Sequence, residues 1–225
     1  MSFISLSAAE ALNTAVAGVL QRMTLGVAAT LVSALWINVL GLVPVLFTGI
    51  LGYVIVFAPL LVCLYIGFRG EQMTVGQLRG WFYGFAVLMG VSLSVLFAVY
   101  TTGSIIQALV GTTVSFAALA GWGYFTRRDL SGLGPYLMAG VIGLVVASVI
   151  GIFLQSTVFQ MVLNVLAIVI FLALTAYDMN RIRDMFWYAD AAEIERMQWF
   201  GALSLYTNFI NIFISMLQLF GSRNE

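Results

Sequence analysis

One carboxylate is unusual because of the apolar residues in front of it. Asp178 ends the stretch FLALTAYD, which begins at Phe171 and itself closes an apolar segment of about twenty residues. An acid at membrane depth is costly unless it has a partner or a function. At the C-terminus of a helix the macrodipole adds to this cost, because it disfavours negative charge. Asp178 is therefore the first candidate for a functional residue.

Two interpretations of Asp178 are open at this point. In the first, Asp178 is an interfacial carboxylate that pairs with Arg181, three residues further along the helix. In the second, Asp178 lies inside the protein and responds to protons, and Arg181 and Arg183 are candidate charge partners for it. The first interpretation is structural and the second is functional.

The last apolar segment of the chain carries a polar stripe. Its members recur at spacings of 4, 3, 4 and 3 and so share one face of a helix: Ser204, Asn208, Asn211, Ser215 and Gln218. On the preceding helix, Asp178 shares a face with Thr175 and Asn164. We expect the two helices to meet along a polar seam, with Asp178 and Asn208 at the same end. Such a seam either bonds the helices to each other or lines a water-filled path, since polar groups avoid lipid.

Composition defines the surroundings of these residues. Hydrophobic residues make up 62% of the chain, charged residues 8%, and the mean hydropathy is +1.07. Soluble domains average roughly 25% charged residues. The chain is therefore an integral membrane protein, and its 225 residues allow about seven spans of about twenty residues each. The predicted fold class is all-α and polytopic.

Seven apolar segments can be separated along the chain. They cover residues 23–42, 47–67, 81–101, 105–125, 136–154, 158–177 and 200–220. We therefore predict residues 1–22 as an N-terminal cytoplasmic segment. Residues 23–225 are predicted to form a single transmembrane domain of seven helices.

The arginines set the orientation of those helices. Eight of the nine arginines fall in connections on one side of the membrane: Arg22, Arg69, Arg79, Arg127, Arg128, Arg181, Arg183 and Arg196. Arg223 falls on the other side. By the positive-inside rule, the N-terminus is predicted to be cytoplasmic and the C-terminus to be outside.

Residue types that the chain lacks exclude several chemistries. There is no histidine and Cys63 is the only cysteine, so a Ser–His pair, a His-ligated haem and a cysteine metal cluster are excluded. Every basic residue is arginine, which excludes a lysine Schiff base. The net charge is zero and no basic run indicates nucleic acid. We predict no enzymatic activity, no catalytic residue, no metal site and no cofactor.

Three segments carry a family resemblance. They are VYTTGSIIQALVGTTVSFAALAGWGYFTRRDLSGLG from Val99, LTAYDMNRIRDM from Leu174 and GALSLYTNFINIFISMLQLFGSR from Gly201. These segments resemble the Bax inhibitor-1 family, in its bacterial YccA-like branch. The resemblance implies a multi-pass protein of the bacterial inner membrane with seven helices. It also implies that the C-terminal helix is central, with two layers of three helices around it.

The same resemblance implies a pH-sensitive calcium leak, in which two aspartates near the cytoplasmic end of the pore share a proton. The first of these falls on Asp178, and the second falls on the position of Asn208, where the acid is absent. Two carboxylates titrate as a coupled pair, whereas an acid and an amide cannot. The family's arginine in the second helix also has no counterpart, because that helix carries no charge before Arg69.

Two functions are therefore expected. The first is a pH-sensitive cation leak channel of the Bax inhibitor kind, with calcium as a permeant ion and a stress-regulatory role. Its pore or gating residues would be Asp178, Asn208, Asn211, Ser204 and Thr175. The second is a membrane-embedded regulator that binds other membrane proteins, such as a protease of the FtsH type, without conducting ions. The lipid bilayer is a partner in both.

Overall fold

The computed structural model describes residues 2–188 and 191–224, and these residues are mostly α-helical. The helices are α1 (Ser2–Val39), α2 (Val43–Leu46), α3 (Gly49–Arg69), α4 (Val75–Val99), α5 (Thr102–Phe125), α6 (Gly134–Leu154), α7 (Thr157–Tyr188) and α8 (Ala191–Phe220). Short 3-10 turns at Gly70–Gln72 and Ser131–Leu133 precede α4 and α6.

Seven helices among the described residues are long and apolar enough to cross a membrane. The exception is α2, a single turn with a proline at its start. A helix is the form that an apolar segment takes in lipid, because it satisfies its own backbone hydrogen bonds. The prediction of an all-α polytopic membrane protein with seven spans is confirmed.

Three helices extend beyond their apolar segments at the ends that carry arginines. α1 begins at Ser2, α7 continues to Tyr188 and α8 begins at Ala191. The extension of α7 is amphipathic, with buried side chains at spacings of three and four: Met179, Ile182 and Phe186. Hydropathy alone therefore ends this helix too early. The boundary between residues 22 and 23 stays a prediction, and it falls inside α1.

The chain divides into two compact units. The first unit comprises Met1–Leu12, Gly103–Ala189 and Thr207–Ser222, so it holds α5, α6, α7 and the second half of α8. The second unit comprises Asn13–Thr102, Asp190–Tyr206 and Arg223–Glu225, so it holds most of α1, α3, α4 and the first half of α8. In the first unit α6 packs against α7, and in the second α3 packs against α4.

Helix α8 is the most buried of the seven spans. Inside its apolar stretch 61% of the residues are buried, against 11–39% in the other spans. Five of its described side chains are fully inaccessible: Ala202, Leu205, Tyr206, Ile212 and Leu217. The central position expected for the last helix stays a prediction. The two layers of three helices around it stay a prediction.

In the first unit, α5 packs closely against both α7 and α8. A Cβ atom on Gly123 would overlap the backbone of Ala176, including its carbonyl oxygen, so α5 and α7 approach closely at this point. The rings of Phe116 and Phe209 meet edge to face, with centroids 5.6 Å apart. Helix α5 therefore supports both helices that carry the polar seam.

In the second unit, a buried hydroxyl pair holds the first half of α8. The Thr30 and Tyr206 hydroxyl oxygens are 2.7 Å apart and share a hydrogen bond. The Tyr206 ring also packs edge to face against Phe82 and Phe85, at centroid distances of 5.7 and 5.5 Å. These contacts join α8 to α1 and α4.

The end of the chain caps α4. The side-chain amide of Asn224 donates to the carbonyl oxygens of Ala98 and Tyr100, at 3.1 and 3.3 Å. The Arg223 guanidinium lies 6.0 Å from the centre of the Tyr100 ring. The last carbonyls of a helix lack partners within the helix, so this segment satisfies groups that would otherwise need water. Arg223, the exception to the arginine distribution, thus has a local structural role.

Candidate functional site

The site is built around a pair of side chains from α7 and α8. The Asn208 amide nitrogen Nδ2 donates a hydrogen bond to Oδ2 of Asp178, at 2.7 Å. Both residues are buried, with exposed fractions of 9% for Asp178 and 4% for Asn208. A hydrogen bond to an ionised carboxylate is short and roughly twice as strong as one between neutral groups. The structure thus brings together the two residues that the polar seam was expected to join.

Asp178 does not lie at the end of its helix. Helix α7 continues to Tyr188, ten residues further on. The helix macrodipole acts within the last turn, so it does not disfavour the charge on Asp178. The expectation of a helix-end carboxylate is therefore wrong, because the amphipathic residues after Asp178 keep the helix going.

Thr175 and Asn211, two of the other proposed pore residues, form hydrogen bonds within their own helices. Thr175 is fully buried, and its hydroxyl donates to the carbonyl oxygen of Phe171, one turn back on α7, at 2.8 Å. Asn211 is half-buried and donates to the carbonyl oxygen of Thr207, one turn back on α8, at 2.8 Å. Ser204 is half-buried and belongs to the second unit. The role of all five residues in a pore or a gate stays a prediction.

The two candidate charge partners have different surroundings. Arg183 forms an ion pair with Asp184 at 2.7 Å, and its NH1 donates to the carbonyl oxygens of Tyr124 and Thr126, at 2.8 and 2.6 Å. A positive charge at these carbonyls, where α5 ends, is favourable. Arg181 is exposed. Among the described residues neither arginine forms an ion pair with Asp178, and a longer-range role of either one as its charge partner stays a prediction.

Asn180 is a buried residue that the sequence analysis missed. Its amide donates to the carbonyl oxygens of Gly123 and Arg128, each at 3.3 Å, and its carbonyl oxygen accepts from the backbone N–H of Leu130, at 3.4 Å. Asn180 thereby ties the connection between α5 and α6 to α7. Its position could have indicated a structural role, because Asn180 is a polar residue two positions after Asp178 inside the segment LTAYDMNRIRDM.

The same connection has a local cap. The Asp129 carboxylate accepts a hydrogen bond from the backbone N–H of Ser131 at 2.8 Å. This backbone hydrogen bond lowers the pKa of Asp129 below its usual range, and the Ser131 hydroxyl adds to the effect. Asp129 therefore stays ionised at neutral pH and holds the start of the 3-10 turn that leads into α6.

Chemically, the buried pair offers one ionisable group and one amide. The carboxylate of Asp178 can carry a negative charge or a proton, and Asn208 can donate to it or accept from it. Within residues 2–188 and 191–224, no three His, Cys, Asp or Glu side chains come together as metal ligands. Fold and site together define a polytopic helical membrane protein with an acid–amide pair inside it.

Comparison with known proteins gives the family. The model of the family "Inhibitor of apoptosis-promoting Bax1" matches residues 12–225. The chain therefore belongs to the Bax inhibitor family, as the three segments of resemblance predicted.

Several bacterial proteins are similar to the chain. The chain is 32% identical to the inner membrane protein YbhL of Escherichia coli (strain K12) over 219 residues, which cover 94% of this chain and 93% of YbhL. It is 38% identical to a protein of Caulobacter vibrioides over 174 residues, covering 76% and 70% of the two chains. It is also 34% identical to a protein of Rickettsia prowazekii over 177 residues, covering 77% and 74%. Together with the seven spans, the similarity to YbhL supports a multi-pass protein of the inner membrane.

Proposed function

We propose that this protein is a proton-sensitive cation leak channel in which Asp178 is the sensor. The observation that supports it best is the buried hydrogen bond from Asn208 to Asp178, which joins α7 to α8. An ionisable residue inside a membrane protein is by default a candidate for an ion or proton pathway. The proposed function needs no catalytic residue and no cofactor.

The hydrogen bond suggests how protons act on the pathway. When Asp178 is ionised, Asn208 donates to a full negative charge, which is the stronger form of the bond. Protonation removes that charge and so weakens the contact between α7 and α8. The helices then have two arrangements, one with the hydrogen bond to ionised Asp178 and one in which this contact is loosened. Protons bind the second arrangement more tightly, so the balance between the two depends on pH.

The permeant ion is a cation, with calcium as the candidate. Asp178 provides one negative oxygen group, and the hydroxyl of Thr175 and the carbonyl oxygen of Asn208 are neutral oxygens. Calcium sites in proteins usually combine six to eight oxygens, several of them carboxylates. A single carboxylate therefore favours a weak leak of low selectivity, which suits a stress-regulatory role better than rapid signalling.

The test is ion flux into proteoliposomes across a range of pH. We expect wild type to conduct calcium in a pH-dependent way, and Asp178→Asn to lose this dependence because no titratable group is left in the pair. Asp129→Asn is the matched control, since it removes one exposed carboxylate outside the spans. A steep pH dependence in wild type that survives in Asp178→Asn would remove Asp178 as the sensor.

A second candidate function is a membrane-embedded regulator that binds other membrane proteins, such as an FtsH-type protease. The observation that favours it is Asn208 itself, because the amide occupies the position of the second acid that a proton-sharing pore needs. Co-reconstitution with such a protease distinguishes the two functions. A changed rate of proteolysis without any measurable flux would support the regulator.

A further inference from the structure

Three exposed arginines lie close together at one end of the first unit. Arg127 and Arg128 follow α5 directly, and Arg181 lies on α7 next to Asn180. Within the part of the chain that the structure describes, none of the three guanidinium groups makes a hydrogen bond or an ion pair. We call Arg127, Arg128 and Arg181 the arginine surface.

The hydrogen bonds of Asn180 keep the arginine surface together. The side chain of Asn180 contacts the carbonyl oxygen of Arg128 at 3.3 Å, so the connection after α5 lies against α7 one residue before Arg181. Arg183 holds the preceding carbonyls at Tyr124 and Thr126. A surface whose backbone is already fixed loses less entropy when a ligand binds.

A second contact shows which face of α7 Arg181 occupies. Tyr177 lies one turn before Arg181, and residues four apart share a helix face. The Tyr177 hydroxyl lies close to Gly134, at the start of α6. Arg181 therefore lies on the face of α7 that meets the connection from α5 to α6.

Neither of two nearby acids forms an ion pair with the arginine surface. Asp129, in the same connection, accepts its hydrogen bond from the backbone of Ser131. Asp184 is paired with Arg183 at 2.7 Å. The three arginines outnumber the adjacent Asp129 carboxylate, so the arginine surface keeps a net positive charge and its guanidinium donors can bind a ligand from outside the chain.

Large exposed aromatic side chains occupy the helix ends that flank the connection with Arg127 and Arg128. Trp122 and Phe125 belong to the last turn of α5 and Tyr136 to the first turn of α6, with exposed fractions of 50%, 79% and 78%. Aromatic side chains at the ends of spans usually lie at the level of the lipid headgroups. We call these three residues the aromatic rim. It places the arginine surface at the boundary between hydrocarbon and water.

We propose that the arginine surface binds the phosphate headgroup of an anionic phospholipid from the surrounding bilayer. Guanidinium groups suit phosphate oxygens because their N–H donors match them in pairs. The aromatic rim contacts the acyl chains of the same lipid, and this is why the ligand is a lipid rather than free phosphate. The inference does not depend on ion conduction.

Native mass spectrometry of the full-length protein in neutral detergent tests the proposal. Bound phosphatidylglycerol is counted against phosphatidylcholine with the same acyl chains. We expect wild type to prefer phosphatidylglycerol, and Arg127→Gln/Arg128→Gln to bind it about tenfold more weakly, since each arginine near an anionic surface contributes a several-fold gain. Arg181→Gln should weaken binding by a smaller factor.

The matched control is Arg69→Gln/Arg79→Gln. It also removes two exposed arginines, but from the end of α3 and the start of α4 in the second unit. We expect it to bind phosphatidylglycerol as wild type does. Arg127→Lys/Arg128→Lys, which keeps the charge, should retain part of the affinity and shows that a loss in the glutamine variant does not come from misfolding.

Three results would overturn the proposal. The control could lose as much affinity as the arginine-surface variant, which would mean that any two arginines suffice. Inorganic phosphate at the same concentration could compete fully, which would indicate a general anion site. Unchanged binding of phosphatidylglycerol in Arg127→Gln/Arg128→Gln would leave an acidic segment of another membrane protein as the ligand of this surface.

Discussion

The amide of Asn208 donates to the carboxylate of Asp178 across 2.7 Å, and this bond joins α8 to α7 inside the first unit. The amide occupies the position where the family resemblance places a second acid. An amide cannot bind or release a proton at ordinary pH, so the pair carries at most one negative charge. The pH response proposed for this protein would therefore rest on one group rather than on a coupled pair.

Asn208→Asp should make the pH response steeper. Two carboxylates at hydrogen-bonding distance repel each other when both are ionised, so they hold one proton between them at a pH where a lone acid has lost it. We expect flux into proteoliposomes to gain a transition between about pH 5 and 8 that wild type lacks. Asn211→Asp adds a carboxylate one turn further along α8 and is the control. Equal pH curves for the two variants would contradict the prediction.

Gly123→Ala should destabilise the protein. The new methyl group would overlap the carbonyl oxygen of Ala176, and a backbone atom cannot move aside as a flexible side chain can. We expect a loss of about 1–3 kcal/mol in the free energy of unfolding, measured by SDS titration in mixed micelles.

Gly121→Ala is the control for this change. It lies on the same helix, and a methyl group there meets nothing within 4 Å. Since alanine favours a helix over glycine, Gly121→Ala should be neutral or stabilising by up to about 1 kcal/mol. Similar losses for both variants would mean that α5 and α7 do not need the close approach.

Asn180→Ala should cost much more than Asn211→Ala. Removal of the Asn180 amide leaves three backbone groups without this partner: the carbonyl oxygen of Gly123 in α5, and the carbonyl oxygen of Arg128 and the N–H of Leu130 in the connection that follows. We expect about 2 kcal/mol of destabilisation in the same SDS titration. Asn211 bonds to its own helix, so its loss should change the free energy of unfolding by less than about 0.5 kcal/mol. The reverse order would show that Asn211 bridges helices.

The orientation predicted from the arginines can be tested by cysteine labelling. In a Cys63→Ala background, Gly103→Cys places a thiol at the start of α5, where a side chain meets nothing within 4 Å. A membrane-impermeant maleimide should label it in intact spheroplasts. Gly76→Cys lies at the start of α4 near Arg79, and a side chain there also meets nothing within 4 Å. It should be labelled only after the spheroplasts are lysed. Labelling of the two sites in the opposite pattern would invert the topology.

The sequence was informative about which residues share a face. Helical periodicity placed Asp178 on one face of α7 and Asn208 on one face of α8, and the structure joins the two side chains. The same reasoning did not distinguish Asn208 from Asn211, which is three residues further on the same stripe. Spacing gives the direction of a side chain, but the rotamer and the neighbouring helix decide whether its amide bonds across the interface or to its own backbone.

Sequence alone determined the membrane environment, the seven spans and the family, because hydropathy over about twenty residues and a specific motif need no knowledge of long-range contacts. Tertiary structure decided the rest. The clamp made by Asn180 and the need for glycine at position 123 both depend on what the neighbouring segments present. These features arise from pairs of residues at least fifty positions apart, and local patterns carry no information about such pairs.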